Sequence, residues 1–156
     1  MSDEVLQERS FVKGLVAGLI GGLVATAAKS LAEKIYPPRV EGQPEPQEVL
    51  AEKIAGPDLS GPAKAVAAGT IHWGFGATAG ATYGVLAEYF PAATAKDGAS
   101  FGLALEALTH EGALPAMGLA AATEEQTARE HTSEIATHLL FGVVTETVRK
   151  FVRKML

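Results

Sequence analysis

The chain has 156 residues, of which 47% are hydrophobic and 20% charged, and its formal net charge is −5. This length fits one compact domain. The absence of cysteine excludes disulfides, thiolate metal sites and cysteine nucleophiles. An acidic chain also lacks the basic surface that phosphates require, so we expect no nucleic-acid partner.

The N-terminal part of the sequence divides into a polar segment, residues 1–10, and a first predicted helix over residues 11–36. Lys13 and Lys29 flank an uncharged stretch of about 22 Å within this helix, shorter than the ~30 Å hydrocarbon layer of a membrane. Their long side chains can reach outward and extend the usable length. Two consecutive prolines then end the helix, because proline cannot continue its hydrogen bonds.

The rest of the chain predicts three more long helices, over residues 62–90, 96–122 and 133–155. A short amphipathic helix from Pro46 to Ala55 is expected in the first connection, which is rich in proline, glycine and acids. Alternation of apolar and polar residues is nowhere sustained, so no strands are expected. The sequence therefore predicts an all-α fold in which residues 11–156 form a single four-helix domain.

Each long helix carries a stripe of residues spaced by four, which lie on one face of a helix. The stripes are Gly14, Gly18 and Gly22; His72, Gly76, Gly80 and Gly84; Gly98, Gly102, Glu106 and His110; and Glu134, His138, Gly142, Glu146 and Lys150. Glycine inside a helix costs about 1 kcal/mol relative to alanine, so its repetition needs a reason. Close helix packing is such a reason, and membrane proteins use it often. The same glycine faces suggest a homodimer.

The second long helix is the segment that best distinguishes a membrane protein from a soluble helical bundle. From Ala65 to Ala87 its only titratable group besides tyrosine is His72, and the segment is long enough to span a bilayer. A soluble bundle would show a charged stripe along each helix, and this helix has none. The third and fourth helices carry several acids and histidines, which in a membrane must turn inward and pair. The sequence favours a four-helix transmembrane bundle with the lipid bilayer as its partner.

Four stretches of the sequence resemble the YagU-like family of bacterial inner-membrane proteins. They are GLIGGLVATAAKSLAEKIYPPR, HWGFGATAGATYGVLAEYFP, the GALPAMG that follows His110, and SEIATHLLFGVVTETVRK. The most specific positions are Lys29, Glu33, Pro37, Pro38, Arg39, His72, Tyr83, Glu88, Pro91, His110, Pro115, Gly118, Ser133, Glu134, His138 and Glu146. The resemblance runs roughly from Gly14 to Lys150, and the chain departs from the family in carrying Glu106. The resemblance implies an integral membrane protein of unestablished activity, linked by family naming to acid resistance, and supplies no catalytic residues.

Basic residues predict the orientation of such a protein. The C-terminal VRKFVRKML carries Arg149, Lys150, Arg153 and Lys154 directly after the last span, which is typical of a cytoplasmic end. Four spans place the N-terminal segment on the same side. We therefore expect a multi-pass protein of the bacterial inner membrane with both termini in the cytoplasm.

Histidines and glutamates within the predicted helices are the candidates for chemistry. Glu106 and His110 share one helix face, as do Glu134 and His138, because each pair is separated by four residues. Histidine titrates near pH 6.5 and buried carboxylates bind protons more readily, so such residues can pass or sense protons. The leading hypothesis is a non-enzymatic protein that contributes to acid tolerance or proton homeostasis. Its candidate residues are His72, His110, His138, Glu88, Glu106, Glu134 and Glu146.

Two alternatives remain open at the level of sequence. His72, His110 and His138 with Glu134 offer ligands for zinc, iron or copper, and a histidine pair could hold haem, so a metal- or haem-binding redox protein is conceivable. No complete metal signature is present, and no cofactor is fixed. Alternatively, these side chains only hydrogen-bond between helices, in a membrane protein or in a soluble or peripheral interaction module. Lys29 and Glu33, four apart, predict an ion pair.

Overall fold

The computed structural model of the chain describes residues 8–156, so most of the polar segment at residues 1–10 lies outside the described residues. Within that range the chain forms five α-helices of ten or more residues and no β-strand. The predicted all-α class is confirmed. The helices are α1 (Phe11–Ile35), α2 (Pro46–Ala55), α3 (Gly61–Tyr89), α4 (Ala99–Leu108) and α5 (Ala128–Met155).

Local sequence signals fix the helix starts. The Ser10 side chain accepts a hydrogen bond from the Lys13 N–H at 3.3 Å before α1, and Thr127 does the same for α5. A capping box precedes α2, in which Glu45 and Glu48 each accept a backbone N–H of the other. These acceptors satisfy N–H groups that have no partner inside the helix.

The long helices form a row in the order α3, α1, α5 and α4, with α2 against α3. Helix α1 runs antiparallel to α3, because Gly14 meets Gly84 at one end and Gly22 meets Gly76 at the other. Helices α1 and α5 are also antiparallel, as are α5 and α4. Since α1 is central, side chains from its C-terminal end can meet groups from every other helix.

Glycine contacts bring the helix backbones together. A Cβ added at Gly80 would lie 2.5 Å from both the Gly18 carbonyl oxygen and the Gly22 Cα, and equivalent clashes recur along α1 and α3. The predicted close packing of glycine faces is therefore confirmed. These faces are occupied within the chain, whereas Gly69 and Gly74 of α3 border open space. The homodimer stays a prediction.

The third predicted helix, residues 96–122, is wrong as a continuous element. Lys96 and Asp97 have φ of 53° and 54°, and Gly98 has φ of 87°, so the backbone before α4 is left-handed and cannot be helical. Beyond α4 the chain continues as a π-helix and then one turn of α-helix, after which the helical structure ends. The segments are a 3-10 helix at Pro91–Gly98, α4, the π-helix Thr109–Ala113 and the turn Leu114–Ala116.

The fourth long helix begins earlier than the predicted residue 133. Its N-cap is Thr127, whose side-chain oxygen accepts a hydrogen bond from the Glu130 N–H at 3.1 Å. The polar residues 128–132 look like a connection in the sequence, but the threonine cap makes them the first turn of α5.

By length and composition, one helix among the described residues can cross a membrane. This helix is α1, and 39% of its most apolar 18-residue window is buried inside the protein. A buried core helix of a soluble protein passes the same test, and so does a signal sequence, so length and composition alone do not place the chain in a bilayer.

Candidate functional site

A cavity of about 160 Å³ lies where the C-terminal end of α1 meets the other helices. Its lining combines polar side chains with apolar ones, among them Phe75, Leu50 and Phe141. The polar part of the lining includes charged and imidazole side chains, which we call the histidine cluster: Lys29, Glu33, Arg39, His110, Glu134 and His138.

Glu134 is the centre of the histidine cluster. Its side chain is 2% exposed, and its Oε1 lies 3.3 Å from His110 Nδ1 and 3.3 Å from Arg39 Nη1. Its Oε2 lies 3.3 Å from Lys29 Nζ and 3.6 Å from His138 Nδ1. None of the contacts of Oε1 has hydrogen-bond geometry, so this buried oxygen has no hydrogen-bond partner among the described residues.

The two imidazoles come from neighbouring helices. His110 lies in the π-helix that follows α4, and π-turns interrupt α-helices frequently at functional sites. His138 lies one turn after Glu134 on α5, and its ring lies 4.9 Å from that of His110, centroid to centroid. One ligand atom from each of His110, Glu134 and His138 can be chosen so that all three lie within 4.8 Å of one another.

Cations from α1 and the following turn surround this carboxylate. Lys29 pairs with Glu33 as well as Glu134. The prolines at the end of α1 turn the chain so that Arg39 enters the cluster, where its Nη1 lies 2.7 Å from Glu45 Oε2. Arg39 also lies 3.8 Å from Glu130. Burial raises the pKa of Glu45, and the neighbouring guanidinium opposes that shift.

His72 lines the same cavity but does not join the other two histidines. Its Nε2 lies 3.0 Å from Ser30 Oγ, on the side where α1 meets α3. The sequence-derived group of three histidines thus divides into a pair next to Glu134 and one hydroxyl-bonded imidazole. The haem alternative stays a prediction.

Glu88 and Glu146 lie at the opposite end of the helix row, in what we call the arginine cluster: Tyr83, Glu88, Glu146, Arg149 and Arg153. The Tyr83 hydroxyl donates to Glu146 at 2.8 Å, and Arg149 donates to both oxygens of the same carboxylate. Arg153 donates to Glu88. These carboxylates are held by arginines and do not border the cavity.

Glu106 stands apart from both clusters. It is 5% exposed, and its Oε1 has no hydrogen-bond partner among the described residues. No lysine or arginine of residues 8–156 lies within ion-pair distance of it. The titratable groups that face it are Glu111 beyond α4, and Glu134 and His131 on α5.

The sequence did not reveal that Arg39 lies in the histidine cluster, or that Glu45 and Glu130 lie next to it. In the sequence the two glutamates fall in polar connections. The double proline before Arg39 is the one signal in the sequence that the chain turns sharply there.

Comparison with known proteins gives one result. A family model with the description "Protein of unknown function (DUF1440)" matches residues 23–147. No curated protein and no solved structure matches the chain. The matched range includes the cavity and all the residues of the histidine cluster, while the YagU-like naming stays a prediction.

Proposed function

Because the chain belongs to the DUF1440 family, whose description gives no function, we propose from its own residues that it is a multi-pass protein of the bacterial inner membrane. We further propose that it is not an enzyme and that it contributes to acid tolerance or proton homeostasis. One observation carries the membrane proposal: the chain is polar inside and apolar outside.

The interior of the protein holds as many charged groups as apolar ones. Among the described residues, eight hydrophobic residues are buried, four of them alanine, and the eight buried charged or imidazole residues are Lys29, Glu106, Glu130, Glu134, His138, Glu146, Arg149 and Arg153. Charged side chains are almost never fully buried in soluble proteins unless they are paired. In a membrane the rule is different, because charged groups must turn inward and pair to avoid lipid.

The outer surface of the long helices is correspondingly apolar. Exposed large side chains include Ile20, Val24, Trp73, Phe75, Leu86, Leu103, Leu108, Ile135, Leu140 and Val143. On α3 no charged residue occurs from Ala65 to Ala87, a length of about 34 Å, which is enough for a bilayer. On α5 the acids and histidines lower the average hydropathy, but Glu130, Glu134, His138 and Glu146 are buried.

The hydroxyl groups of exposed threonines on these helices have hydrogen-bond partners within the protein. Thr70, Thr78 and Thr147 each donate to the carbonyl four residues earlier, at 2.8–2.9 Å. Such bonds satisfy the hydroxyl within its own helix. In lipid, polar groups require an internal partner of this kind.

The proton-homeostasis part of the proposal is favoured by Glu106. Glu88, Glu134 and Glu146 would have to leave a lysine or arginine to bind a proton, whereas Glu106 has no such cation to leave. A buried carboxyl of this kind can take up and release a proton without breaking an ion pair. The family resemblance to proteins linked with acid resistance supports the same function.

The membrane proposal is tested by cysteine labelling, for which the cysteine-free chain is well suited. Three single variants, Asp58→Cys, Glu124→Cys and Lys154→Cys, place a thiol at exposed positions near the two ends of the helix row. In intact cells with a permeable outer membrane, an impermeant maleimide should label the first two. The third should react only after the inner membrane is opened.

Alkaline carbonate extraction of the same membranes is the companion measurement, and the protein should stay in the pellet. Release into the supernatant would contradict integral insertion. Labelling of all three thiols in intact cells would contradict the four-span arrangement.

A further inference from the structure

We propose that His110, Glu134 and His138 bind one divalent transition-metal ion, of the class that takes imidazole nitrogen and carboxylate oxygen. Zn²⁺ and Fe²⁺ belong to this class. The inference goes beyond the proposed function and does not depend on it, because the site lies inside the chain and can be tested in purified protein.

The hydrogen bond of His138 gives its ring the tautomer that a metal ligand needs. Its Nδ1 lies 2.9 Å from the backbone carbonyl oxygen of Glu134, which can only accept a hydrogen bond. Nδ1 must therefore carry the hydrogen, and Nε2 keeps its lone pair free. Metal-binding histidines usually donate their second ring N–H to a carbonyl or carboxylate in this way, which fixes the ring and its tautomer.

Glu134 supplies a second, independent observation. The residue is 1% exposed, and its Oε1 lacks a hydrogen-bond partner although it faces an imidazole and a guanidinium at 3.3 Å. A buried acceptor without a partner calls for an explanation such as an ion. A metal ion at Oε1 would supply the missing contact while Lys29 keeps Oε2.

The charge of the surroundings also favours a cation. Around the two imidazoles lie the carboxylates of Glu33, Glu45, Glu130 and Glu134, against the cations of Lys29 and Arg39. The Glu45 side chain is 41% exposed, so the buried and half-buried groups are Glu33, Glu130 and Glu134 against the two cations, and their formal charge with neutral imidazoles is −1. Excess charge is costly to bury, and a bound cation would offset it.

The cavity provides room for a further ligand. Two imidazoles and one carboxylate fill three positions, and zinc sites with three protein ligands keep a fourth for water or substrate. The cavity of about 160 Å³ beside the three residues is large enough for water or a small ligand.

The test uses the full chain purified in detergent, stripped with a chelator and titrated with Zn²⁺ against a chromophoric competitor. We expect one equivalent to bind, with no displacement by excess Mg²⁺, since magnesium prefers oxygen ligands. His110→Gln and His138→Gln should each weaken the affinity by at least about tenfold, the lower end of what loss of even a supporting residue costs a metal site.

Two matched variants serve as controls. His131→Gln removes a partly exposed histidine that pairs with Glu111, and His72→Gln removes the cavity histidine outside the three-residue group; both should keep the wild-type affinity. Circular dichroism tests whether each variant is helical. His110 is less buried than His138, so its replacement should disturb the fold less. Absence of stoichiometric binding to the wild-type chain, or full affinity in both folded ligand variants, would overturn the proposal.

Discussion

The acidic residues of this protein differ in whether a lysine or arginine lies next to the carboxylate. Glu146 accepts hydrogen bonds from Tyr83 and Arg149, and Glu134 lies between Lys29 and Arg39. Lys150 lies 2.8 Å from Asp97 and lowers the pKa of that carboxyl. Glu106, buried without a cation, is the exception. The buried glutamates therefore divide into those next to a lysine or arginine and Glu106, which the proposed function assigns to proton exchange.

Replacement of Glu106 tests this division. In cells that depend on the chain at acid pH, Glu106→Gln should lower survival toward that of cells lacking the chain, because the amide cannot take up a proton. Glu125→Gln, at an exposed acid in the connection before α5, should have no effect. Survival counts after acid challenge measure the difference, with immunoblots to confirm equal amounts in the membrane. Equal survival of the two variants would exclude a role for Glu106.

Whole elements show where sequence patterns suffice and where they do not. The glycine stripes of α1 and α3 predict that each packs closely against another helix, because spacing by four survives in any straight helix. The sequence analysis did not predict the break before α4, where Lys96 adopts a left-handed backbone that residues other than glycine, asparagine and aspartate seldom take. Likewise, Glu134 and His138 share a face by spacing, but the approach of Arg39 depends on the direction of a proline turn. That direction is a tertiary property and is not encoded in any local spacing.

Two glycines of α3 give opposite expectations for the same substitution. Gly80→Ala places a Cβ against the α1 backbone and should destabilise the protein by about 1–3 kcal/mol, as overpacking does. Gly74→Ala points into open space and should be neutral or stabilising by up to about 1 kcal/mol, because alanine favours the helix. Thermal unfolding in detergent, followed by circular dichroism, measures both. A similar change in the two variants would contradict the close packing of α1 on α3.

At the scale of the whole molecule, charge is distributed unequally between the two ends. The end with the arginine cluster also presents exposed Lys96, Lys150 and Lys154. The other end presents exposed acids such as Asp58 and Glu124, together with the exposed bases Lys34, Lys53 and Arg129, whereas the end with the arginine cluster also exposes Arg9 and Lys13. In membrane proteins an excess of lysine and arginine marks the cytoplasmic side, so this asymmetry predicts how the chain is oriented.

Neutralising the lysines tests that orientation. Changing Lys96, Lys150 and Lys154 together to Gln in the Asp58→Cys chain should reduce labelling of the thiol in intact cells, because part of the population inserts in the inverse direction. Changing Lys34 and Lys53, exposed at the other end, should leave labelling unchanged or increase it. Loss of labelling in the control and not in the triple variant would reverse the assignment of the two sides.

The glycine faces between α1 and α3 have a further consequence. A surface without side chains is smooth, so by itself it would let one helix slide along another with little resistance. Helix α5 carries a cluster near each of its ends: Glu134 meets Lys29 of α1 near one, and Arg153 meets Glu88 of α3 near the other. Because α5 contacts both helices, a displacement of α1 along α3 by one helical turn, about 5.4 Å, would break at least one of these two contacts. The two ion pairs thus hold α1, α3 and α5 in a single alignment.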